Sequence, residues 1–274
     1  MTVDKTALSG SIADNLIRLF SAEGRTALIT GAASGLGKRM GTSLAAAGAN
    51  AYFGDINQEG ARAAADEAKA VGIQKTQGIF LDVTDPKSVQ EAFDHIRQET
   101  GGVDILICSA GLSRATWIEE MSLETWNEVL EVNLTGTFLC CKEGSRSMVA
   151  RRWGRIINVA SIAATHAPRP ERFNGGYNYS ASKAGVIGMT KRLAVELAPY
   201  NITVNCLSPG IMETPLTKKA LAEEHTLKQV VDSVPMRRVG KPGDLDGLVV
   251  FLSSESSGFL TGQDIIVDGG YSVW

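Results

Sequence analysis

The chain has 274 residues, 44% of them hydrophobic and 21% charged, proportions that supply a large core and exclude intrinsic disorder. Lys and Arg number 27 against 30 Asp and Glu, a formal charge of −3, so no global basic field draws in nucleic acid or an anionic membrane, and a small-molecule partner is expected. The sequence opens without a basic segment leading into an apolar core, and no apolar run approaches the roughly 20 residues that span a bilayer, so a cytoplasmic protein is expected.

In chain order, residues 1–24 read as an N-terminal extension in which Ile12, Leu16, Leu19 and Phe20 recur at helical spacing and predict a short amphipathic helix. It carries few cations, so docking on the chain's own surface is preferred to membrane contact. Residues 25–274 read as a single domain. Apolar runs at Thr26–Gly31, Asn50–Asp55, Gln77–Asp82, Val103–Cys108, Arg155–Ala160, Asn201–Leu207 and Asp264–Val267 predict seven strands. Helical patterns lie between them at Gly35–Gly48, Asn57–Val71, Pro86–Thr100, Ser122–Arg151, Tyr179–Pro199 and Pro242–Ser253. This alternation predicts an α/β fold, a parallel sheet covered by helices on both faces. Two stretches break the rhythm, Ile162–Gly176 and Ser208–Pro235, and both leave the carboxyl end of a predicted strand, where such sheets place their ligands. Cys108, Cys140, Cys141 and Cys206 sit in apolar surroundings without C-x-x-C spacing and read as buried, reduced thiols. His95, His166 and His225 are too scattered to suggest a metal site.

Directly after the first predicted strand comes Thr30-Gly31-Ala32-Ala33-Ser34-Gly35-Leu36-Gly37, followed by a helix. Glycines there let the backbone turn tightly and approach a pyrophosphate, and the helix N-terminus offers unpaired N–H groups and a positive dipole. A ligand-free tight turn would look much the same, but this one occupies the first strand-to-helix turn of the pattern. Asp55 closes the second strand, about 20 residues beyond the loop, where a carboxylate accepts hydrogen bonds from adenosine ribose hydroxyls and repels a 2′-phosphate. No Arg or Lys falls between Gly31 and Gly37, so NAD is favoured over NADP, although Lys38 and Arg39 lie just downstream. The alternative for Asp55 is a turn residue at the strand end. The expected architecture is thus a doubly wound Rossmann-type domain with a seven-stranded sheet.

Tyr179-Ser180-Ala181-Ser182-Lys183 places Tyr179 and Lys183 four residues apart on one helical face. A nearby ammonium stabilises phenolate and draws the tyrosine pKa toward neutral, which makes a usable acid/base. With the glycine loop in place, the chain from about Phe20 to its C-terminus resembles the short-chain dehydrogenase/reductase family. Further segments match in family order. They are Asp82-Val83, Cys108-Ser109-Ala110-Gly111, Val132-Asn133-Leu134, Asn158-Val159-Ala160-Ser161, Pro209-Gly210-Ile211-Met212-Glu213-Thr214 and Val267-Asp268-Gly269-Gly270. The resemblance implies that Asn133, Ser161, Tyr179 and Lys183 are catalytic. Ser161 would bond the substrate oxygen, Tyr179 would move the proton, Lys183 would hold the nicotinamide ribose, and Asn133 would position water. It implies a cofactor site of Gly31, Ser34, Gly35, Leu36, Gly37, Asp55, Ile56, Asp82, Val83, Ser109, Gly111, Tyr179, Lys183, Pro209, Gly210, Ile211 and Thr214. No metal is required, and relatives of this kind imply a homotetramer built on helices Ser122–Arg151 and Tyr179–Pro199.

Two features depart from the family pattern. Cys108 and Ser109 stand where two asparagines are usual, which is expected to keep the turn and forfeit a hydrogen bond. Ser161 and Tyr179 are 18 positions apart, a longer interval than usual. The extra length falls in Ala163–Gly176, with His166, Arg169, Glu171, Arg172 and Phe173, and reads either as a substrate cover or as a solvated loop. Leu112, Trp117, Arg169, Phe173, Met212 and Leu216 are candidates for the substrate wall. The overall run resembles gluconate and polyol dehydrogenases and 3-oxoacyl-carrier-protein reductases. The expected reaction is NAD(H)-linked interconversion of a secondary alcohol and a ketone on a polyol, keto-sugar, keto acid or cyclic ketone. The alternatives are a 3-oxoacyl-carrier-protein reductase using NADPH and a catalytically silent dinucleotide-binding protein. An epimerase or dehydratase on nucleotide sugars would need a longer substrate region than this chain offers.

Overall fold

A computed structural model describes residues 12–71, 75–167 and 176–274. The strands are β1 (Thr26–Thr30), β2 (Asn50–Asp55), β3 (Thr76–Phe80), β4 (Ile105–Cys108), β5 (Gly154–Val159), β6 (Ile202–Pro209) and β7 (Asp264–Val267), and they pair in parallel in the order β3-β2-β1-β4-β5-β6-β7. Every position of β1, β4, β5 and β6 is buried, as expected of strands covered on both faces. Side chains alternate between two cores. Ile29 and Phe53 meet Met40 and Leu44 of α2 (Gly35–Ala46), Ala61 and Ala64 of α3 (Gln58–Ala68) and Leu252 of α10 (Asp246–Ser253). Their neighbours Leu28 and Tyr52 meet Phe93 and Ile96 of α4 (Pro86–Thr100), Met148 of α6 (Gly136–Arg151) and Leu197 of α7 (Tyr177–Leu197) on the other face. Each fully buried Leu, Ile or Phe contributes about 1.5–3 kcal/mol of transfer free energy, so the two cores hold the sheet rigid behind whatever is mounted on its edge.

The chain winds outward from β1 in both directions, to β2 and β3 on one side and to β4 through β7 on the other. The carboxyl ends of β1 and β4, Thr30 and Cys108, lie in register at that reversal, where doubly wound sheets open a crevice. The connections that follow β1, β4, β5 and β6 therefore converge there.

Element edges differ from the sequence expectation where local bonding overrides periodicity. The segment Ser122–Arg151, expected as one helix, is α5 (Leu123–Leu130), a π-helical turn at Glu131–Thr135, and α6. The extra residue per turn is held by side chains: Thr137 Oγ1 donates to the Asn133 carbonyl at 2.8 Å, while the Asn133 amide bonds outside the helix. Pro242–Ser253 opens as a 3₁₀ turn (Pro242–Leu245), because Asp244 accepts from the Lys241 N–H at 2.7 Å before α10 begins. The helix expected from Tyr179 starts two residues earlier, at Tyr177. The strand expected from Asn201 starts at Ile202, since Asn201 itself is left-handed, with φ 59°. The strand expected over Gln77–Asp82 is Thr76–Phe80, which leaves Asp82 in the turn beyond it, and Val103–Cys108 shortens to Ile105–Cys108.

The N-terminal helix α1 (Ile12–Phe20) is present. It lies against the Glu255–Ser257 turn, where Ser256 Oγ donates to the Leu19 carbonyl at 2.8 Å, but Leu16, Ile17, Leu19 and Phe20 stay exposed, so the apolar stripe does not itself dock on the chain. All four cysteines are buried free thiols. No helix among the described residues is long and apolar enough to cross a membrane.

Candidate active site

At the end of β1 the chain turns through Gly31, whose φ is +66° and whose added Cβ would lie 2.6 Å from Ala110 Cα. No residue with a side chain fits there without moving the turn after β4. A Cβ at Gly37 would lie 2.3 Å from the Gly31 carbonyl oxygen, so the start of α2 packs backbone to backbone on the loop. Ser34 precedes α2 in an extended conformation and its side chain does not cap the helix. The first-turn N–H groups and the positive end of the helix dipole therefore point into a glycine-lined cradle that fits a pyrophosphate. Leu36 packs inward against the core beneath it.

Asp55 stands at the mouth of this cradle and also shapes it. Its Oδ2 accepts from the Ala33 N–H at 3.0 Å and its Oδ1 from the Asn57 N–H at 2.8 Å. The turn-residue reading and the ribose reading thus hold together, because each carboxylate oxygen keeps a second lone pair. Ile56 beside it is exposed. The two downstream cations are committed elsewhere. Lys38 pairs with Glu67 at 2.7 Å, and Arg39 is gripped by Asp246, with Nε to Oδ1 at 2.9 Å. In the turn after β3, Asp82 Oδ1 accepts from the Thr84 N–H and Oγ1 at 2.9 and 2.7 Å, while Val83 is buried under Gly136.

The turn after β4, with Cys108 and Ser109, is held by Thr30. Thr30 Oγ1 accepts from both the Ser109 and Ala110 N–H groups, at 3.1 and 3.0 Å, so one hydroxyl ties that turn to the glycine loop. After β6, the N–H of Gly210 donates to the Val267 carbonyl at 2.9 Å and that of Thr214 to Thr217 Oγ1 at 3.1 Å. Between them, the Ile211 carbonyl accepts from the Gly240 N–H. Pro209 is buried as the last residue of β6. A Cβ at Gly35 would touch Pro215 and Thr214, which brings the post-β6 segment against the glycine loop.

The four expected catalytic residues reach the same crevice. Asn133, fully buried in the π turn, donates from Nδ2 to the Leu112 carbonyl and to Ser182 Oγ, both at 3.0 Å, and accepts from the Leu112 N–H at 2.9 Å. Ser182 Oγ in turn donates to the Tyr179 carbonyl at 2.7 Å. Lys183 Nζ donates to the Val159 carbonyl at 2.7 Å and lies 5.7 Å from the Tyr179 ring centroid. Gly111 leaves room for this meeting, since a Cβ there would stand 3.3 Å from Asn133 Oδ1 and 3.5 Å from Lys183 Nζ. Ser161, in an extended conformation after β5, accepts from the Ala163 N–H at 3.2 Å, and its hydroxyl favours the ionised form of the nearby Tyr179 phenol.

The electrostatics differ from the sequence expectation of a tyrosine drawn toward neutral by its lysine. Burial pushes the Tyr179 phenol above its ordinary range, opposed by the Ser161 hydroxyl. Burial likewise lowers Lys183 to about 8, with Cys206 and Cys108 acting in the other direction. Desolvation disfavours the charged form of both groups.

Of the expected substrate wall, Leu112 is half-buried and Trp117 and Leu216 are exposed. Met212 is a core residue instead, packed against Gly240 where a short parallel bridge joins the two segments. Arg169 and Phe173, with Glu171, Arg172 and most of Ala163–Gly176, lie outside the described residues. His166 Nε2 donates to the Ser272 carbonyl (3.1 Å), and its Nδ1 pairs with Thr165 Oγ1 (2.9 Å). Near the site, a cleft of about 530 Å³ opens beside Glu213, Thr214 and Pro215, with Lys218, Leu221 and Leu227 across it. A larger one, about 610 Å³ at the β3 edge between Arg62 and His95, shares no residue with the site. Thr30, Asn178 and Ser182 complete the site's bonding. Thr30 and Ser182 fall inside the glycine-loop and Tyr179–Lys183 segments, but their bonding roles, like that of Asn178, arise only when separate turns meet.

A family model described as enoyl-(acyl carrier protein) reductase matches residues 31–272. The chain is 38% identical over 252 residues to the 3-oxoacyl-acyl-carrier-protein reductase FabG of Aquifex aeolicus, covering 90% of this chain and 97% of that one. A short-chain type dehydrogenase/reductase from Mycobacterium marinum superposes with TM-score 0.88 at 38% identity, covering 94% and 99% of the two chains. A gluconate 5-dehydrogenase from Burkholderia cenocepacia, in complex with NADP and tartrate, superposes with TM-score 0.88 at 31% identity, again covering 94% and 99%.

Proposed function

The chain belongs to the short-chain dehydrogenase/reductase family, oxidoreductases that act on CH–OH groups with NAD or NADP, and on that premise we propose that it interconverts a secondary alcohol and a ketone on a small polyol, keto-sugar, keto acid or cyclic ketone with NAD(H). The observation that carries the proposal is the convergence of Asn133, Ser161, Tyr179 and Lys183 beside an uncapped glycine cradle. When bound, the dinucleotide supplies or takes up the hydride. Gly31, Ser34, Gly35, Leu36 and Gly37 would receive its pyrophosphate, and Asp55 with Ile56 the adenosine end. Asp82, Val83, Ser109 and Gly111 would border the middle, and Pro209, Gly210, Ile211 and Thr214 the nicotinamide end.

The protein's own part is orientation and proton movement. The Ser161 hydroxyl donates to the substrate oxygen and keeps it at the Tyr179 phenol. In reduction Tyr179 Oη gives its proton to that oxygen as the carbonyl becomes an alcohol, and in oxidation the phenolate takes it back. The Lys183 ammonium, charged at neutral pH, favours the phenolate and is held by the Val159 carbonyl. A single catalytic domain over residues 25–274 with an N-terminal extension over 1–24, a cytoplasmic location and a homotetramer belong to the same reading.

The preference for NAD over NADP rests on Asp55 and on the engagement of Lys38 by Glu67 and of Arg39 by Asp246. A 2′-phosphate would meet a carboxylate and no free cation from that pair. The competing reading, NADPH-linked reduction of a 3-oxoacyl thioester, is favoured by the relative from Aquifex aeolicus and by the NADP in the gluconate 5-dehydrogenase neighbour. One spectrophotometric screen separates them. NADH and NADPH oxidation are followed against ketones, keto acids, keto-sugars and a 3-oxoacyl thioester, with the reverse alcohol panel. Faster turnover of small ketones with NADH is expected. Preference for the thioester with NADPH would favour the competing reading, and no turnover across the panel would favour a silent dinucleotide-binding protein.

A further inference from the structure

Asn178 stands one residue before Tyr179 and is fully buried. Every polar atom of its amide is used. Oδ1 accepts from the Tyr179 N–H at 2.8 Å, and Nδ2 donates to the carbonyls of Arg114 and Thr125, at 3.3 and 3.2 Å. The three partners belong to three separate walls of the crevice. Tyr179 lies in the first turn of α7, Arg114 in the segment that leaves β4 through Gly111, Leu112 and Trp117, and Thr125 in α5, which runs into the turn that carries Asn133.

The start of α7 has no side-chain cap at its N-cap position. Its N-cap is Gly176, at φ +95°, which has no side chain to cap the first-turn amides. Such amides need an acceptor, and the one belonging to the proton-moving tyrosine finds it in Asn178. Only an amide combines an acceptor for that N–H with two donors for the two carbonyls. A carboxylate would face those carbonyls with no proton to give, and an apolar side chain would take the acceptor from the Tyr179 N–H and a donor from each carbonyl.

We propose that Asn178 is a positioning residue of the active site: it fixes Tyr179 against Ser161 and ties α7 to the two substrate-side segments at Arg114 and Thr125. This rests on the acid/base reading of Tyr179. Its consequence is that orientation of the phenol depends on Asn178 far more than cofactor binding does, because none of its partners lies in the glycine cradle. Loosening the tether separates the phenol from the Ser161 hydroxyl that opposes the effect of burial. The proton-accepting form of Tyr179 then becomes harder to reach.

The test compares wild type with Asn178→Ala and Asn178→Asp, using any alcohol that the wild type oxidises. Active molecules are counted by titrating NADH binding through quenching of protein fluorescence, so that misfolded protein does not enter the rate. Per NADH-binding molecule, kcat is expected to fall about 10- to 100-fold in both variants. NADH affinity should stay within about 3-fold, and the rising limb of the oxidation pH profile should move to higher pH. A kcat and pH profile that match wild type once normalised would overturn the proposal and leave Asn178 a purely structural residue. Hydrogen exchange without any substrate gives an independent reading. Exchange in segment 109–121 and at the Tyr179 N–H should accelerate in Asn178→Ala while α2 is unchanged, and unchanged exchange there would also overturn the tether. If wild type turns over nothing, the acid/base reading fails, while the exchange experiment still decides the tether.

Discussion

Replacing Lys183 with Met is expected to stabilise the folded protein at neutral pH while abolishing turnover. The ammonium is 4% exposed, and its one hydrogen bond among the described residues goes to the Val159 carbonyl. Burial lowers its pKa from 10.5 to about 8, which corresponds to about 3 kcal/mol of native-state cost for the charge. Below about pH 8 the group is protonated in both folded and unfolded chains, so the cost is present in full. From there up to 10.5 the unfolded chain keeps a proton that the native protein releases, and wild-type stability gains with rising pH. Met fills similar space without charge but leaves the Val159 carbonyl unpaired, which costs about 1–3 kcal/mol. The net expectation at pH 7 is a gain of about 1 kcal/mol. Urea unfolding of the two proteins at pH 7 and pH 10, extrapolated to water, measures it. The midpoint of Lys183→Met should be the higher at pH 7, and the gap should close or reverse by pH 10. A variant less stable than wild type at pH 7, with a difference that does not move with pH, would refute the reasoning.

Three other expectations concern turnover. Tyr179→Phe removes the proton donor while keeping the ring, so ketone reduction should fall about 10²- to 10⁴-fold with NADH affinity intact; near-normal reduction would remove Tyr179 from the chemistry. Asp55→Asn keeps an acceptor for the Ala33 N–H but discards the charge, so kcat/KM with NADPH relative to NADH should rise about 10-fold, since two charges a few ångströms apart at a surface repel by one to several kcal/mol. An unchanged ratio would show that the carboxylate does not read the 2′ position. Because burial raises the Tyr179 phenol, its proton is held at neutral pH. Steady-state profiles should therefore show reduction strongest near neutral pH and alcohol oxidation increasing toward alkaline pH, and an oxidation rate flat from pH 6 to 9 would contradict it.

Most of the fold was legible because two signals coincide in every unit. Apolar runs such as Leu28-Ile29 and Ile105-Leu106-Ile107 are short, bounded by turn residues and alternate with segments that repeat at 3.6 residues, a context that marks them as strands buried on both faces. The motifs that need a special backbone were legible too. Gly31 and Gly37 are required by contacts under 3 Å that any Cβ would make. What sequence could not give was bonding between turns. The π turn at Asn133 was missed because helical periodicity continues through it, and the side-chain bonds that hold it open come from Leu112 and Ser182, 21 residues before it and 49 after. Met212 was misassigned to the substrate wall because its motif neighbours border the crevice, while the strand-like bridge to Gly240 turns its own side chain into the core.

The same physical cause links the two groups whose behaviour departed from expectation. Spacing alone suggested that Lys183 would pull the Tyr179 proton off, as a cation near a phenol does in water-like surroundings. In the folded protein both groups are desolvated together, and desolvation acts against phenolate and ammonium alike. The neutral pair, phenol and amine, carries the same net charge as the ion pair, phenolate and ammonium, so the balance between them is set by what solvates the charges once they form. The Val159 carbonyl on the lysine and the Ser161 hydroxyl on the tyrosine are the fixed dipoles available for this. Both are placed by β5 and the turn after it, so on the proposed acid/base reading the strand end, more than the i and i+4 spacing of Tyr179 and Lys183, would set how readily the proton moves.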